Sequence, residues 1–128
     1  MTHQELEKHL DQGEEWGFSK PPTNTDYLGW ILITKRKPAP AGPFDPSTEP
    51  ELHANWVSWA EEVRSTPYHV FIFDLKSDVY ASGEDPENED YRNRESFYVP
   101  TLGDVEEIVR RHGYTLDEIK SRAEISPP

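Results

Sequence analysis

The hydrophobic pattern of the chain is organised around one run, Tyr68-His69-Val70-Phe71-Ile72-Phe73-Asp74-Leu75, in which β-branched and Phe residues dominate and Pro67 closes off the preceding segment. That pattern predicts a strand over 68–75 buried on both faces. Lys76-Ser77-Asp78 favours a turn, because Ser and Asp hydrogen-bond their own backbone there. Val79 and Tyr80 then resume the apolar pattern as a strand over 78–82. A further strand is predicted over 27–36, where Leu28, Trp30 and Leu32 alternate with Tyr27, Ile31 and Ile33 and leave both faces apolar. Gly29 marks a bulge or a close approach within it. Phe97-Tyr98-Val99 predicts a short strand over 96–99, antiparallel to the one holding Val79 and Tyr80 and ended by Pro100.

Helical spacing appears in four places. Thr2 with Glu5 forms a capping box before Leu6 and Leu10, predicting a helix over 2–10. Residues 51–65 predict the longest helix: Leu52, Trp56, Trp59, Ala60 and Val63 follow three-four spacing, Pro50 opens it and Pro67 forbids continuation. Its two Trp residues are expected to cover the sheet. Thr101 with Asp104 caps a helix carrying Leu102, Val105, Ile108 and Val109 until Gly113. Thr115 with Glu118 caps a last one, with Leu116 and Ile119 facing inward until Ser126-Pro127-Pro128. Residues 14–26 read as a loop anchored by Trp16 and Phe18, its exit stiffened by Pro21-Pro22. Residues 37–50 hold prolines at 38, 40, 43, 46 and 50 and read as an extended connector.

These elements predict an α+β fold in a single domain: a mixed or antiparallel sheet of three to four strands packed by three to four helices. The order strand, connector, helix, strand over 27–75 allows a right-handed parallel crossover. The alternative is a helix lying on one face of a mainly antiparallel sheet.

Composition sharpens this picture. Hydrophobic residues are only 34% of the chain, and four Trp, six Tyr and five Phe must supply much of the core. No cysteine is present, which excludes disulfides and thiolate metal sites. The amino-terminal residues have no apolar signal region, and no apolar run approaches membrane-spanning length, so a cytoplasmic location is expected.

Charge changes the functional expectation most. Thirteen Lys and Arg face 25 Asp and Glu, for a formal net charge of −12. That balance repels nucleic acid and anionic membrane and speeds encounter with a basic partner. The helix-turn-helix-like link at 113–115 is accordingly not read as DNA-binding, since the helix predicted after it offers Lys120 and Arg122 against Asp117, Glu118 and Glu124. The densest charge lies in an exposed loop over 83–95, where Glu84, Asp85, Glu87, Glu89 and Asp90 precede Tyr91. It fails as a calcium loop: Pro86 is second, Asp90 stands where the turn needs Gly, and Ser96 stands where a bidentate Glu is required.

No cofactor, metal or catalytic set is predicted. The histidines at 3, 9, 53, 69 and 112 include no pair three or four apart on one helix. No nucleophile elbow or phosphate-cradling glycine motif occurs. Lys35-Arg36-Lys37, the only basic cluster, reads as a solvated strand end. His69 reads as a core or edge histidine, and Asp74, breaking an apolar run, is either in solvent at the strand end or held by Lys, Arg or a backbone amide.

In general form, small, acidic, cysteine-free and Trp-rich, the chain resembles bacterial immunity proteins and phage-encoded inhibitors; the comparison is one of type and rests on no motif. The leading expectation is a non-enzymatic acidic binder that neutralises a basic protein, such as a nuclease-like toxin, with Glu84, Asp85, Glu87, Glu89 and Asp90 supplying charge and Tyr91 an aromatic anchor. Alternatives are an assembly subunit that oligomerises through the two-faced strand 27–33, or a small enzyme using His69 and Asp74 in a pocket between sheet and connector.

Overall fold

The computed structural model describes residues 1–21 and 24–125; Pro22 and the expected stop at Ser126-Pro127-Pro128 lie outside them. The fold is α+β. A five-stranded antiparallel sheet has the order β4-β3-β2-β1-β5, with β1 Trp16–Lys20, β2 Tyr27–Lys35, β3 Tyr68–Lys76, β4 Tyr91–Val99 and β5 Lys120–Ser121. Five α-helices accompany it: α1 His3–Asp11, α2 Pro50–Ser65, α3 Ser77–Ser82, α4 Leu102–Arg111 and α5 Arg122–Ile125. Two 3-10 turns, Asn88–Asp90 and Leu116–Glu118, complete the set among the described residues.

The two strands read as apolar on both faces are the central strand β2 and its interior neighbour β3. They pair antiparallel along all nine residues, from Tyr27 opposite Lys76 to Lys35 opposite Tyr68, so there is no parallel crossover. The ladder even continues outward, where the Arg36 amide donates to the Pro67 carbonyl at 2.7 Å. Residues 36–67, connector and α2 together, therefore form one excursion that leaves the sheet and returns to the same point of a β2–β3 hairpin.

This topology explains why α2 does not lay its Trp face on the sheet as expected. Ala60 and Val63 are buried, but Leu52 and Trp59 are 48% and 47% exposed. Trp56 is half-buried and sits against Gly42 of the connector, to which a Cβ would bring contacts of 3.4 Å. One face of the sheet is covered by α1 and α4 instead. Leu6, Leu10, Val105, Ile108 and Val109 pack there on Phe18, Ile31, Ile33, Val70 and Ile72.

Both covering helices start as their sequences require. The Thr2 hydroxyl accepts from the Glu5 amide at 3.1 Å, and the Thr101 hydroxyl accepts from the Asp104 amide at 3.2 Å. Each bond satisfies an amide that the first helical turn leaves free. A polar clasp adds to the apolar contact: Lys35 donates to Glu7 and Asp11, both at 2.6 Å, and the Tyr68 hydroxyl donates to Glu7. Burial and the Glu7 bond push the Tyr68 phenol up to about 12. Burial pulls Lys35 down, but its bonds to Asp11 and Glu7 outweigh that and hold it above its usual value.

Four further expectations are corrected. Residues 16–20 are strand β1, not loop; their weak alternation is rescued by pairing with β2 on one side and β5 on the other. Residues 77–82 form α3, not a strand, because two apolar residues do not define a period of two. β4 begins at Tyr91, inside the stretch read as loop, and pairs with β3. The last predicted helix shrinks to the 3-10 turn Leu116–Glu118, because Lys120 and Ser121 leave it to pair with β1 before α5.

Candidate functional site

Three places concentrate chemistry, and two of them share the β3–β4 half of the sheet. On the face covered by α1 and α4, one row of the sheet carries Lys20, Gly29 and Asp74 side by side on β1, β2 and β3. Asp74 is completely buried, and its Oδ1 accepts from Lys20 Nζ at 2.5 Å while Oδ2 accepts from Asn93 Nδ2 at 2.9 Å. Of the two sequence readings of Asp74, the partnered one holds, with a lysine as partner.

Two backbone features make room for this cluster. A β-bulge places Asn93 and Arg94 opposite Phe73, and Asn93 takes φ +54, a conformation Asn tolerates better than most residues. The bulge turns the Asn93 amide onto Asp74. Gly29 supplies the second feature: a Cβ there would lie 2.7 Å from the Lys20 carbonyl, 2.8 Å from Lys20 Cγ and 2.9 Å from Asp74 Oδ1. Gly29 is thus the close approach that its sequence position suggested. Gly29→Ala should lower stability by about 1–3 kcal/mol through this crowding, read as a lower urea midpoint; an unchanged midpoint would mean the row yields without loss.

The opposite face is only partly covered. Trp30 and Leu32 are buried there with Phe73 and Leu75 beneath Ile125, and Trp30 Nε1 donates to the Ile125 carbonyl at 3.1 Å. Towards β4 the cover stops and an aromatic belt emerges. His69 stacks on Tyr98 with centroids 4.5 Å apart and planes 10° apart. Phe71 follows at 5.9 Å from His69, and Tyr91 lies 6.4 Å from Phe71. His69, Phe71 and Tyr91 are half-buried and Tyr98 is 46% exposed. Arg36 lies 3.6 Å over the Tyr98 ring and reaches Glu62 of α2, while Arg94 lies 5.3 Å over Tyr91.

The acidic loop opens directly onto this belt. Glu84, Asp85, Glu87 and Glu89 are exposed, and none has a cation within ion-pair distance among the described residues. Asp90 differs: its carboxylate accepts from the Glu87 amide at 2.8 Å and shapes the 3-10 turn. Tyr91, next in sequence, is the first belt residue. Tyr91 therefore lies beside the loop at the start of the belt, and Phe71, His69 and Tyr98 are belt members that sequence reasoning did not group with it. The period-two spacing of 69, 71 and 73 was a signal for a shared face.

Geometry also separates groups that the sequence allowed to act together. His69 and Asp74 sit five residues apart on β3, on opposite faces of the sheet, so they share no pocket. The two-faced apolar pattern of 27–33 is satisfied by β2's central position with residues packed on both sides. Among the described residues no group of three or more His, Asp or Glu is arranged to hold a metal, and no helix is long and apolar enough to cross a membrane.

His69 is biased toward its neutral form. Burial lowers its imidazole below the ordinary value, and the nearby Arg36 charge lowers it further. A folded-state value below the unfolded one, about 6.5, gives stability that is fully present above that value and is lost as pH falls through the folded value. His69→Gln should therefore flatten part of the stability loss between about pH 7 and pH 5; parallel wild-type and variant melting-temperature profiles would contradict the assignment.

The third place is a cleft beneath the excursion, between the end of α1, the end of β2 and α2. Comparison of the chain with protein-family models, with curated proteins and with solved structures finds no match.

Proposed function

We propose that this chain is an acidic binding protein that captures a basic protein partner and neutralises it, as an inhibitor or immunity protein does. The observation that carries this reading is the continuity of a half-exposed aromatic belt with a loop whose Glu84, Asp85, Glu87 and Glu89 have no ion pair among the described residues. The two parts have complementary roles. Exposed acids raise the encounter rate with a basic surface. Aromatic side chains supply most of the burial energy once contact is made, and Tyr is enriched among residues that dominate interfaces.

The belt, not the edge of β4, is the contact surface in this reading. β4 is an edge strand, but its middle is the bulge at Asn93 flanked by Arg92, Arg94 and Glu95. Bulges and charges are what keep an edge from pairing with another strand. Tyr98, with Arg36 stacked on it, and Tyr91 then act as anchors, and Glu84, Asp85, Glu87 and Glu89 as the steering charges. A nuclease-type toxin, whose own nucleic-acid surface must be basic, is a partner of this kind.

The test is affinity capture from host lysate at low salt, using wild type, Glu84→Lys/Asp85→Lys/Glu89→Lys and Tyr98→Ala in parallel. A basic protein held by wild type, released by salt and lost from both variants supports the reading. The same proteins retained by all three would overturn it.

A further inference from the structure

The basic cluster 35–37, read from sequence as a solvated strand end, lies on the rim of the cleft beneath the excursion. This cleft has a volume of about 740 Å³, within the range of roughly 300–1,000 Å³ typical of small-ligand sites. Its apolar walls come from Leu10 of α1, Trp56, Ala60 and Val63 of α2, and Pro38 and Pro67 at the two ends of the excursion. Its rim carries Lys35, Arg36, Lys37 and Arg64, with Asp11 the one carboxylate. Four cations from a total of 13 in a chain of net charge −12 are thus gathered on one small cavity.

Two of the four are already engaged. Lys35 is held by Glu7 and Asp11, and Arg36 by Glu62 and the Tyr98 ring. Lys37 and Arg64 are exposed, and neither has a carboxylate within ion-pair distance among the described residues. Two uncommitted cations at the mouth of an apolar cleft, in an otherwise acidic protein, select a ligand by both charge and hydrophobicity.

We propose that the cleft between α1, α2 and the connector binds an amphipathic anion, its apolar body against Trp56, Val63 and Leu10 and its acidic head between Lys37 and Arg64. A carboxylate and a phosphate head share this chemistry. The site touches the aromatic belt only through Arg36, which lies over Tyr98, and does not depend on capture of a basic partner; Lys37 and Arg64 belong to neither the belt nor the acidic loop.

The experiment tracks backbone amide chemical shifts of the ¹⁵N-labelled full chain on titration with decanoate, decyl phosphate and 1-decanol. Saturable shifts are expected for the anions at residues 10–13, 35–39 and 60–64, with whichever anion binds more tightly identifying the head, and with decanol at least about tenfold weaker, a difference worth about 1.4 kcal/mol. Lys37→Gln/Arg64→Gln should weaken the better anion about tenfold while leaving decanol unchanged. Arg110→Gln/Arg111→Gln, which removes two exposed cations on α4, should leave both unchanged. Decanol binding as tightly as the anions, equal losses in both double variants, shifts centred on 69–71 and 91–98, or no saturable shifts would each overturn the proposal.

Discussion

Lys20→Met is expected to lower folding stability by about 3–5 kcal/mol, the cost of leaving one member of a buried ion pair without the other. Asp74 has no exposed surface and the Lys20 side chain is only 14% exposed, so little solvent is available to replace the lost charge. Met preserves the length and most of the apolar stem, which confines the change to the ammonium group. Asn93 remains as a donor to Asp74 but brings no charge. The buried carboxylate then favours its protonated form, so the deficit should grow as pH rises from about 4 to about 7, because an isolated Asp in the unfolded chain ionises near 3.9. Urea unfolding at the two pH values checks both statements. Lys20→Met/Asp74→Leu should recover at least half of the loss, since replacing both partners of a buried pair by apolar groups is often neutral. A double variant as weak as the single one would show that the pair is not the source of the effect.

The same cluster shows what the sequence could and could not reveal. Asp74 is legible as an anomaly, a carboxylate inside an apolar run. Its partners are not, because Lys20 lies 54 residues away and Asn93 19 residues away, each in a stretch that reads as loop. β1 hides because Trp16-Gly17-Phe18-Ser19-Lys20 is short and weakly alternating; what makes it a strand is pairing on both sides, a tertiary property. β4 hides for another reason. It is an edge strand with one side open, so Arg92, Asn93, Arg94 and Glu95 stay solvated, and their polarity merges with that of the acidic loop before them. Local signals survive wherever the determinant is itself local. The caps at Thr2 and Thr101, the proline limits of α2 and the apolar runs of β2 and β3 all lie where they were expected.

The excursion 36–67 is the instructive failure. Its amphipathic spacing was real, since Ala60 and Val63 are buried, but spacing alone does not say what a helix packs on. Because β2 and β3 pair directly, the helix between them is not needed to cover the sheet, and α1 and α4 occupy that place. Freed from that duty, α2 exposes Leu52 and Trp59 and lines a cleft whose rim carries the basic end of β2. A Pro-rich segment that reads as a connector thus becomes part of the lining of that cleft.

The second large effect concerns rates. Once a partner is captured, Glu84→Lys/Asp85→Lys/Glu89→Lys should slow association by about 10- to 1,000-fold at low salt, the span over which electrostatic steering acts. The three carboxylates are exposed and unpaired among the described residues, and their reversal halves the chain's formal net charge of −12. Asp90 is left in place because it holds the Glu87 amide, so folding stability should change by less than about 0.5 kcal/mol, as for ordinary surface substitutions. Dissociation should change little, because charges at the rim of an interface act mainly on encounter. Tyr98→Ala should do the reverse, leaving association nearly unchanged and speeding dissociation, since a packed aromatic anchor acts after contact. Raising salt should erase the difference between wild type and the charge-reversed variant, as the screening length falls from about 10 Å at 0.1 M to about 3 Å at 1 M. Stopped-flow binding across that salt range separates the two roles. Equal association rates for wild type and the charge-reversed variant at low salt would remove steering from the acidic loop and leave the aromatic belt as the only contact the proposal could rest on.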